Sequence, residues 1–535
     1  MARSIIVLSG PIGSGKSTLA SRLANRLDAT HLKTNDLLRE LKPKTEGRAA
    51  LQKAGEQLDK STQGRWLAES LAPRIAQLDE SAVVVIDAVR LNSQIEALRE
   101  IFLRAVVHVH LTAPTEELEA RYSRRKAERA GELPKYSDVK KDPTEARVEG
   151  LSADADIVID TKLCTADDVE IRALTRLGFR VGLTSANVDV IVGGQYGSEG
   201  KGNVAFYLAP EYDLLVRVGG PNAGHKVPLD PPVTHRSLPS GTLAAAEANL
   251  LIGPGAVLSV ETLLKEIREA GAEYGRLMID PQAMIVSPED VAAEEALVKS
   301  IGSTGQGVGE ATARRIRNRK EGVLLAKDVA ELRPFIKSAS EVLEDAMARG
   351  DRILLEGTQG TGLSLYHGEY PHVTSRDTTV AGCLAEAGIA PRNVRRVVMV
   401  CRTYPIRVAS PKGETSGFIA QEITWKDVST RSGVPLEELD DVEKGSVSLK
   451  QRRVGEFDWA LFRKSVLLNG PSDIALTFAD YLHIENRKAR RFDQLRPETI
   501  RFIEELEYVS GCPVSLISTR FDLRSVIDRR SWRGQ

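Results

Sequence analysis

Cysteine is scarce in this 535-residue chain. There are four, Cys164, Cys383, Cys401 and Cys512, and no two form a CxxC pair. Such spacing offers neither a disulfide framework nor a zinc site and fits a reducing, cytoplasmic setting. Long apolar runs are missing too. Stretches such as Ala82–Ile86 and Leu250–Ile252 are far too short to span a bilayer. Charge of one sign is not in excess: 73 Lys+Arg face 74 Asp+Glu, a net charge of -1. No global electrostatic drive towards nucleic acid exists, and we expect neither a nucleic-acid nor a membrane partner. The N-terminal apolar run Ile5–Leu8 is short and opens into a glycine loop, so it reads as a buried strand and not a signal peptide. With 42% hydrophobic and 27% charged residues the chain is globular, and its length calls for at least two domains at roughly 100–200 residues each.

The first segment alternates strand-like and helix-like stretches. Ile5–Leu8, Ala82–Ile86, Val106–Leu111 and Ile157–Ile159 read as buried strands; Ser17–Leu27 and Thr115–Arg129 read as helices. That alternation predicts an α/β domain with a parallel sheet and flanking helices. A boundary is expected near Val181–Asn187, giving domains 1–184 and 187–535, the second a single large α/β domain that restarts with the strand Val188–Val192.

Gly10-Pro-Ile-Gly13-Ser-Gly15-Lys16-Ser17-Thr18 matches the G-x-x-x-x-G-K-[ST] phosphate loop between a strand and a helix. Its glycines let backbone amides curl around a polyphosphate at a helix N-terminus. Lys16 is expected on the β/γ-phosphates and the Ser17 hydroxyl on Mg²⁺. Asp36 lies about 20 residues beyond the loop. Asp87 ends a strand and can orient Mg²⁺ or the acceptor; Arg90 can fork onto a monophosphate. Arg121, Arg124 and Arg125 form a candidate basic lid, with a solvated helix as the alternative. The segment resembles the small nucleoside monophosphate kinase superfamily, which implies phosphoryl transfer and a place at Asp36 for groups that serve the acceptor, and leaves the acceptor open. His108 and His110 share a strand face, and without an evident third ligand a structural role is expected.

A second loop, Gly193-Gly-Gln-Tyr-Gly-Ser-Glu-Gly200-Lys201-Gly202, follows the strand at Val188. More polar, glycine-rich loops follow in order: Gly219–His225, Pro239–Gly241, Ile301–Gly309, Leu355–Thr361 and His367–Thr374. This constellation resembles the adenylosuccinate synthetase family over nearly all of Asn187–Gln535. The resemblance implies a homodimer that uses a nucleoside triphosphate and Mg²⁺ to couple L-aspartate to the 6-position of a purine nucleotide, through a 6-phosphoryl intermediate. It places Lys201, with the Gly200 and Gly202 amides, on the triphosphate. It makes His225 a general acid and the Gly224 carbonyl a Mg²⁺ ligand. Asn222, Thr304, Gln359 and Thr374 match positions that hold the purine nucleotide, Arg452 and Arg453 those that grip aspartate, and Asp480 the one that reads the donor base.

Three departures stand out. Phe478 replaces a lysine beside Asp480, and Ser518-Thr-Arg-Phe-Asp522 replaces Ser-Thr-Gly-Pro, which leaves ATP and GTP as alternative donors. Ser198 replaces the aspartate that removes the N1 proton of IMP. A serine cannot act as a comparable base near neutral pH. A smaller, neutral side chain leaves room beside N1 for a 2-amino group, spares the desolvation of a carboxylate and can accept a hydrogen bond. Phage-type 2-aminoadenylosuccinate synthetases, which act on dGMP, show this kind of replacement. The favoured expectation is therefore a dGMP-using ligase fused to a kinase. An ordinary IMP-dependent synthetase and a non-catalytic nucleotide sensor are the alternatives. Ala409, in the stretch Arg402–Ala409, can narrow the space for a 2′-hydroxyl.

Overall fold

The computed structural model describes residues 4–43, 48–79, 82–128, 135–137, 143–179, 187–272, 275–319, 321–444 and 450–530. The chain divides into two compact units, Met1–Val181 and Gly182–Gln535.

In the first unit five strands form one parallel sheet, in the order Thr30–Lys33, Val83–Asp87, Ser4–Ser9, Val106–Thr112, Ile157–Asp160. The middle strand is apolar on both faces for a structural reason. Ile5 and Val7 enter one hydrophobic cluster with Leu67, Ile75 and Ile86, while Ile6 and Leu8 enter another with Leu19, Leu23 and Val109. Helices cover both faces, as a parallel sheet requires. Each such side chain contributes about 1.5–3 kcal/mol by leaving water. Thr30–Lys33, which the hydrophobic pattern did not signal, is one of the two edge strands. Three of its residues are half-buried and Lys33 is exposed, so no apolar run marks it.

The second unit is built on nine strands. Their order is Leu277–Ile279, Asn249–Ile252, Leu214–Arg217, Ile353–Glu356, Val188–Gly193, Val394–Arg402, Asp473–Thr477, Val514–Ser518, Val526–Asp528. All neighbours run parallel except the last pair. Val188, Val190 and Val192 pack into one face and Ile191 into the other. The parallel strands deliver their C-terminal residues to one edge: Gly193, Arg217, Glu356, Arg402, Thr477 and Ser518. In open α/β sheets that edge is where ligands bind. A hairpin, His225–Val227 with Val233–His235, and a small antiparallel sheet of Ile406–Arg407, Arg453–Gly455 and Glu422–Ile423 are added to it. Among the described residues no helix is long and apolar enough to cross a membrane.

Candidate active site

Both glycine loops are folded as phosphate cradles. Gly10, Gly13 and Gly15 all take positive φ, and Gly15, at φ 94°, caps the helix Lys16–Arg26. Gly200, at φ 87°, caps Lys201–Leu208 in the same way. That left-handed turn costs a glycine little and a side chain more. It aims the first helical amides, and the positive end of the helix, at the loop. The lysines are anchored within their loops. Lys16 Nζ donates to Gly10 O at 2.6 Å and Pro11 O at 2.8 Å. Lys201 Nζ donates to Gly197 O at 3.1 Å and Glu199 Oε2 at 2.7 Å. Glu199 Oε1 accepts the Gln195 and Gly197 amides, which fixes the curl of the second loop.

In the first unit Ser17 and Thr18 are exposed on the first helical turn. Asp87 closes its strand opposite Leu8, and its Oδ2 stands 3.8 Å from His31 Nε2. Asp36 is exposed and paired with Arg39 at 2.8 Å. Arg90 bonds Glu145. Arg121 ties its helix to Thr161, through Oγ1 at 2.9 Å and O at 2.7 Å, and to Glu117 at 2.8 Å. The Arg125 side chain lies outside the described residues. His108 Nε2 and His110 Nδ1 share the Ser9 hydroxyl, at 2.6 and 2.8 Å. Burial, first of all, lowers the pKa of both imidazoles.

In the second unit a cavity of about 520 Å³ brings together Ser198, Asn222, Gly224, His225, Thr304, Gln359, Thr374, Ala409 and Arg452. Gln359 holds a left-handed backbone, φ 59°, and donates Nε2–H to Thr374 Oγ1 at 2.8 Å. Strain of that kind in a non-glycine residue is concentrated at ligand clamps. Asn222 Oδ1 and His225 Nε2 are buried with no protein partner. Polar atoms placed so are paid for by a ligand or by water.

His225 owes its orientation to Arg217, outside every motif, and to Glu356 and Ser240, which lie in the loops Leu355–Thr361 and Pro239–Gly241 but were given no role there. Its Nδ1 bonds Glu356 Oε1. That same oxygen takes Arg217 Nη1 at 2.9 Å and the Ser240 hydroxyl, while Glu356 Oε2 accepts the Ser240 amide at 2.7 Å. Burial and nearby Arg217 push the imidazole down to about 4. A carboxylate at Nδ1 favours a ring proton on that nitrogen. Burial works against ionisation of Glu356, but Arg217 and His225 outweigh it and hold the carboxyl at about 2. The signal available was a lone charged residue closing each of two short apolar strands, Leu-Leu-Val-Arg217 and Ile-Leu-Leu-Glu356.

The remaining expected residues lie off the cavity wall. Arg453 makes a bidentate pair with Glu422, at 2.8 and 2.6 Å, and donates to Gly417 O. Asp480 is buried: Arg487 Nε donates to its Oδ2 at 2.9 Å, and Oδ1 has no protein partner. Phe478 stacks on the Arg402 guanidinium, 4.0 Å from the ring centroid.

Two phosphate-cradle loops at helix N-termini, each at the carboxyl edge of a parallel sheet, define a nucleotide-binding α/β enzyme, with a histidine-bearing cavity beside the second loop. Comparisons with known proteins narrow that class. The family model described as adenylosuccinate synthetase matches residues 190–326 and 323–487, and one described as an AAA domain matches residues 5–166. The adenylosuccinate synthetase of Methanocaldococcus jannaschii is 38% identical over 353 residues, 64% of this chain and 96% of that protein. The fully ligated adenylosuccinate synthetase of Plasmodium falciparum has a similar fold, with TM-score 0.56 and 20% identity over 64% of this chain and 100% of that one. The succinoaminodeoxyadenylate synthetase (PurZ) of cyanophage S-2L, solved with dGMP and with dATP as an energy donor, gives TM-score 0.54 and 28% identity over 64% of this chain and 96% of that one. The chain belongs to the adenylosuccinate synthetase family and carries a P-loop kinase-like unit at its N-terminal side.

Proposed function

We propose that the second unit joins L-aspartate to C6 of dGMP, giving 2-aminodeoxyadenylosuccinate, with cleavage of a nucleoside triphosphate. The N1 proton of dGMP passes to solvent as the γ-phosphoryl group moves to O6; the aspartate amine then attacks C6, phosphate leaves, and the new C–N bond sheds the surplus amine proton to solvent. Lys201 with the Gly200 and Gly202 amides binds the triphosphate. Asn222, Thr304, Gln359 and Thr374 hold the purine nucleotide. Arg452, with Arg453 behind it, takes the aspartate carboxylates. Negative charge arriving with the phosphoryl group favours the imidazolium of His225, whose Nε2–H then faces the developing charge. Asp480 Oδ1 is available to the N–H groups of a donor base, with GTP and ATP both candidates.

The observation that carries the choice of dGMP is the wall at Ser198. Among the described residues lining the cavity the one carboxylate is Glu294, and its oxygens are taken by the Gly307 and Gly309 amides at 2.9 and 2.7 Å. A 2-amino group placed beside Ser198 would therefore meet no unpaired carboxylate. The phage relative solved with dGMP supports the same reading.

The first unit, on this proposal, phosphorylates a nucleotide or deoxynucleotide, with Lys16 on the transferring phosphates and Asp36, Asp87, Arg90, Arg121 and Arg125 serving the acceptor and lid. Arg90 reaches an acceptor phosphate by exchanging Glu145 for it. Mg²⁺ suits hard oxygen donors, and the exposed Ser17 hydroxyl and the cavity-lining Gly224 carbonyl fit it. When bound it neutralises charge on the phosphates. We further propose a cytoplasmic homodimer formed through the second unit. Aspartate-dependent phosphate release across IMP, GMP, dGMP and dAMP, with ATP and with GTP, tests the ligase. Turnover of IMP but not of dGMP or GMP would identify an ordinary synthetase. Tight nucleotide binding without aspartate-dependent release would identify a sensor.

A further inference from the structure

Glu443 is completely buried, yet it lies outside every motif above. Three donors converge on its carboxylate: Arg402 Nη2 at 2.7 Å, the Tyr481 hydroxyl at 2.8 Å and Arg452 Nη1 at 3.3 Å. The Arg452 amide also donates to the Glu443 carbonyl, at 3.1 Å. Two guanidiniums thus share one anion. Burial opposes its charge, but Arg402 and Arg452 keep the carboxyl below its ordinary pKa.

The two arginines lead to different parts of the site. Arg452 is the more open, 17% exposed against 1% for Arg402, and it lines the cavity. Arg402 turns the other way. Its Nη1 donates to the Ser198 carbonyl at 3.2 Å, and its flat face lies against Phe478. Without an anion between them, two buried cations would face each other, and neither would hold its place. A carboxylate satisfies both, with directional hydrogen bonds that fix their planes.

We infer that Glu443 is a positioning residue for the ligation: one buried carboxylate fixes Arg452 in the cavity for a substrate carboxylate and, through Arg402, fixes the Ser198 loop beside the purine. The inference rests on the proposed aspartate ligation and adds to it a residue that touches no substrate. A charge in this role can be told from a side chain that merely fills space. Glu443→Gln keeps the shape and removes the charge; Glu443→Asp keeps the charge and removes a methylene.

The test is steady-state, aspartate-dependent phosphate release by the full chain carrying each substitution. In Glu443→Gln the KM for aspartate is expected to rise about tenfold or more, and the KM for dGMP, which is reached only through Arg402 and the Ser198 loop, to rise by less, about threefold. Glu443→Asp is expected to recover most of the aspartate KM. The reverse order, with Gln the milder change, overturns the inference, as does an aspartate KM that neither substitution moves. Should Glu443→Gln fail to fold, Tyr481→Phe removes one hydrogen bond from the same carboxylate. It should raise the aspartate KM about threefold, and an unchanged value counts against the inference. A wild-type protein that releases phosphate independently of aspartate overturns the functional reading and this inference with it. An active wild type with an unmoved aspartate KM in the variants overturns only the latter.

Discussion

Glu356 holds His225, a residue of the cavity wall, by Nδ1, and the ring's Nε2 is buried with no protein partner. Arg217 and Ser240 close on the same carboxylate, which fixes the anion against which the ring is oriented. Glu356→Gln removes the anion that stabilises an imidazolium and offers an amide N–H where Nδ1 needs an acceptor. The aspartate-dependent kcat should fall by about 10²–10⁴-fold with little change in the KM for the purine nucleotide. Buried Arg217 also loses its counter-ion, and denaturant unfolding should show a loss of about 3–5 kcal/mol.

Ser198→Asp restores a carboxylate to the cavity wall. The variant should favour IMP over dGMP by at least about tenfold relative to the wild type, measured as the ratio of the two kcat/KM values. An unchanged ratio removes the physical argument for dGMP.

Lys16→Ala deletes the cation of the first loop. Phosphoryl transfer by the N-terminal unit should drop by about 10²–10³-fold in a direct assay of labelled-phosphate transfer from ATP.

Asp480 gives a pH prediction. Burial raises its carboxyl to about 6 against the neighbouring charge of Arg487. The ordinary value is 3.8, so between about pH 6 and pH 4 the folded protein holds a proton that the unfolded chain releases. This group therefore stabilises the fold as pH falls through that window, and the contribution is lost as pH rises through 6. Binding runs the other way. A protonated Asp480 no longer presents Oδ1 as an anionic acceptor, so the KM for GTP should climb by up to about tenfold per pH unit below 6. Asp480→Asn should flatten that limb of the profile.

The loops were legible in the sequence because glycine, lysine and hydroxyl residues at fixed spacing carry their own geometry. Some buried strands were legible from their apolar runs, as at Ile5–Leu8 and Val188–Val192; others just as buried, such as Leu214–Arg217 and Asp473–Thr477, were not read. Legibility failed where burial is halved or where charge goes inside. Thr30–Lys33 escaped notice because an edge strand needs no apolar run. Arg217 was passed over and Glu356 was read only as part of the polar loop Leu355–Thr361, because one charged residue after three apolar ones is the usual sign that a strand has reached water. Glu443 follows Glu-Glu-Leu-Asp-Asp-Val, a stretch that resembles any solvated helix end. Partners as distant in sequence as His225 and Glu356, or Arg402 and Glu443, are set by topology, which local pattern does not encode.

The internal anchoring of Lys16 and Lys201 sets the terms of any exchange at the two loops. On the proposed function a triphosphate displaces two bonds from each lysine, which offsets part of what it gains. A lone phosphate, with fewer contacts to offer in return, is expected to bind more weakly for that reason.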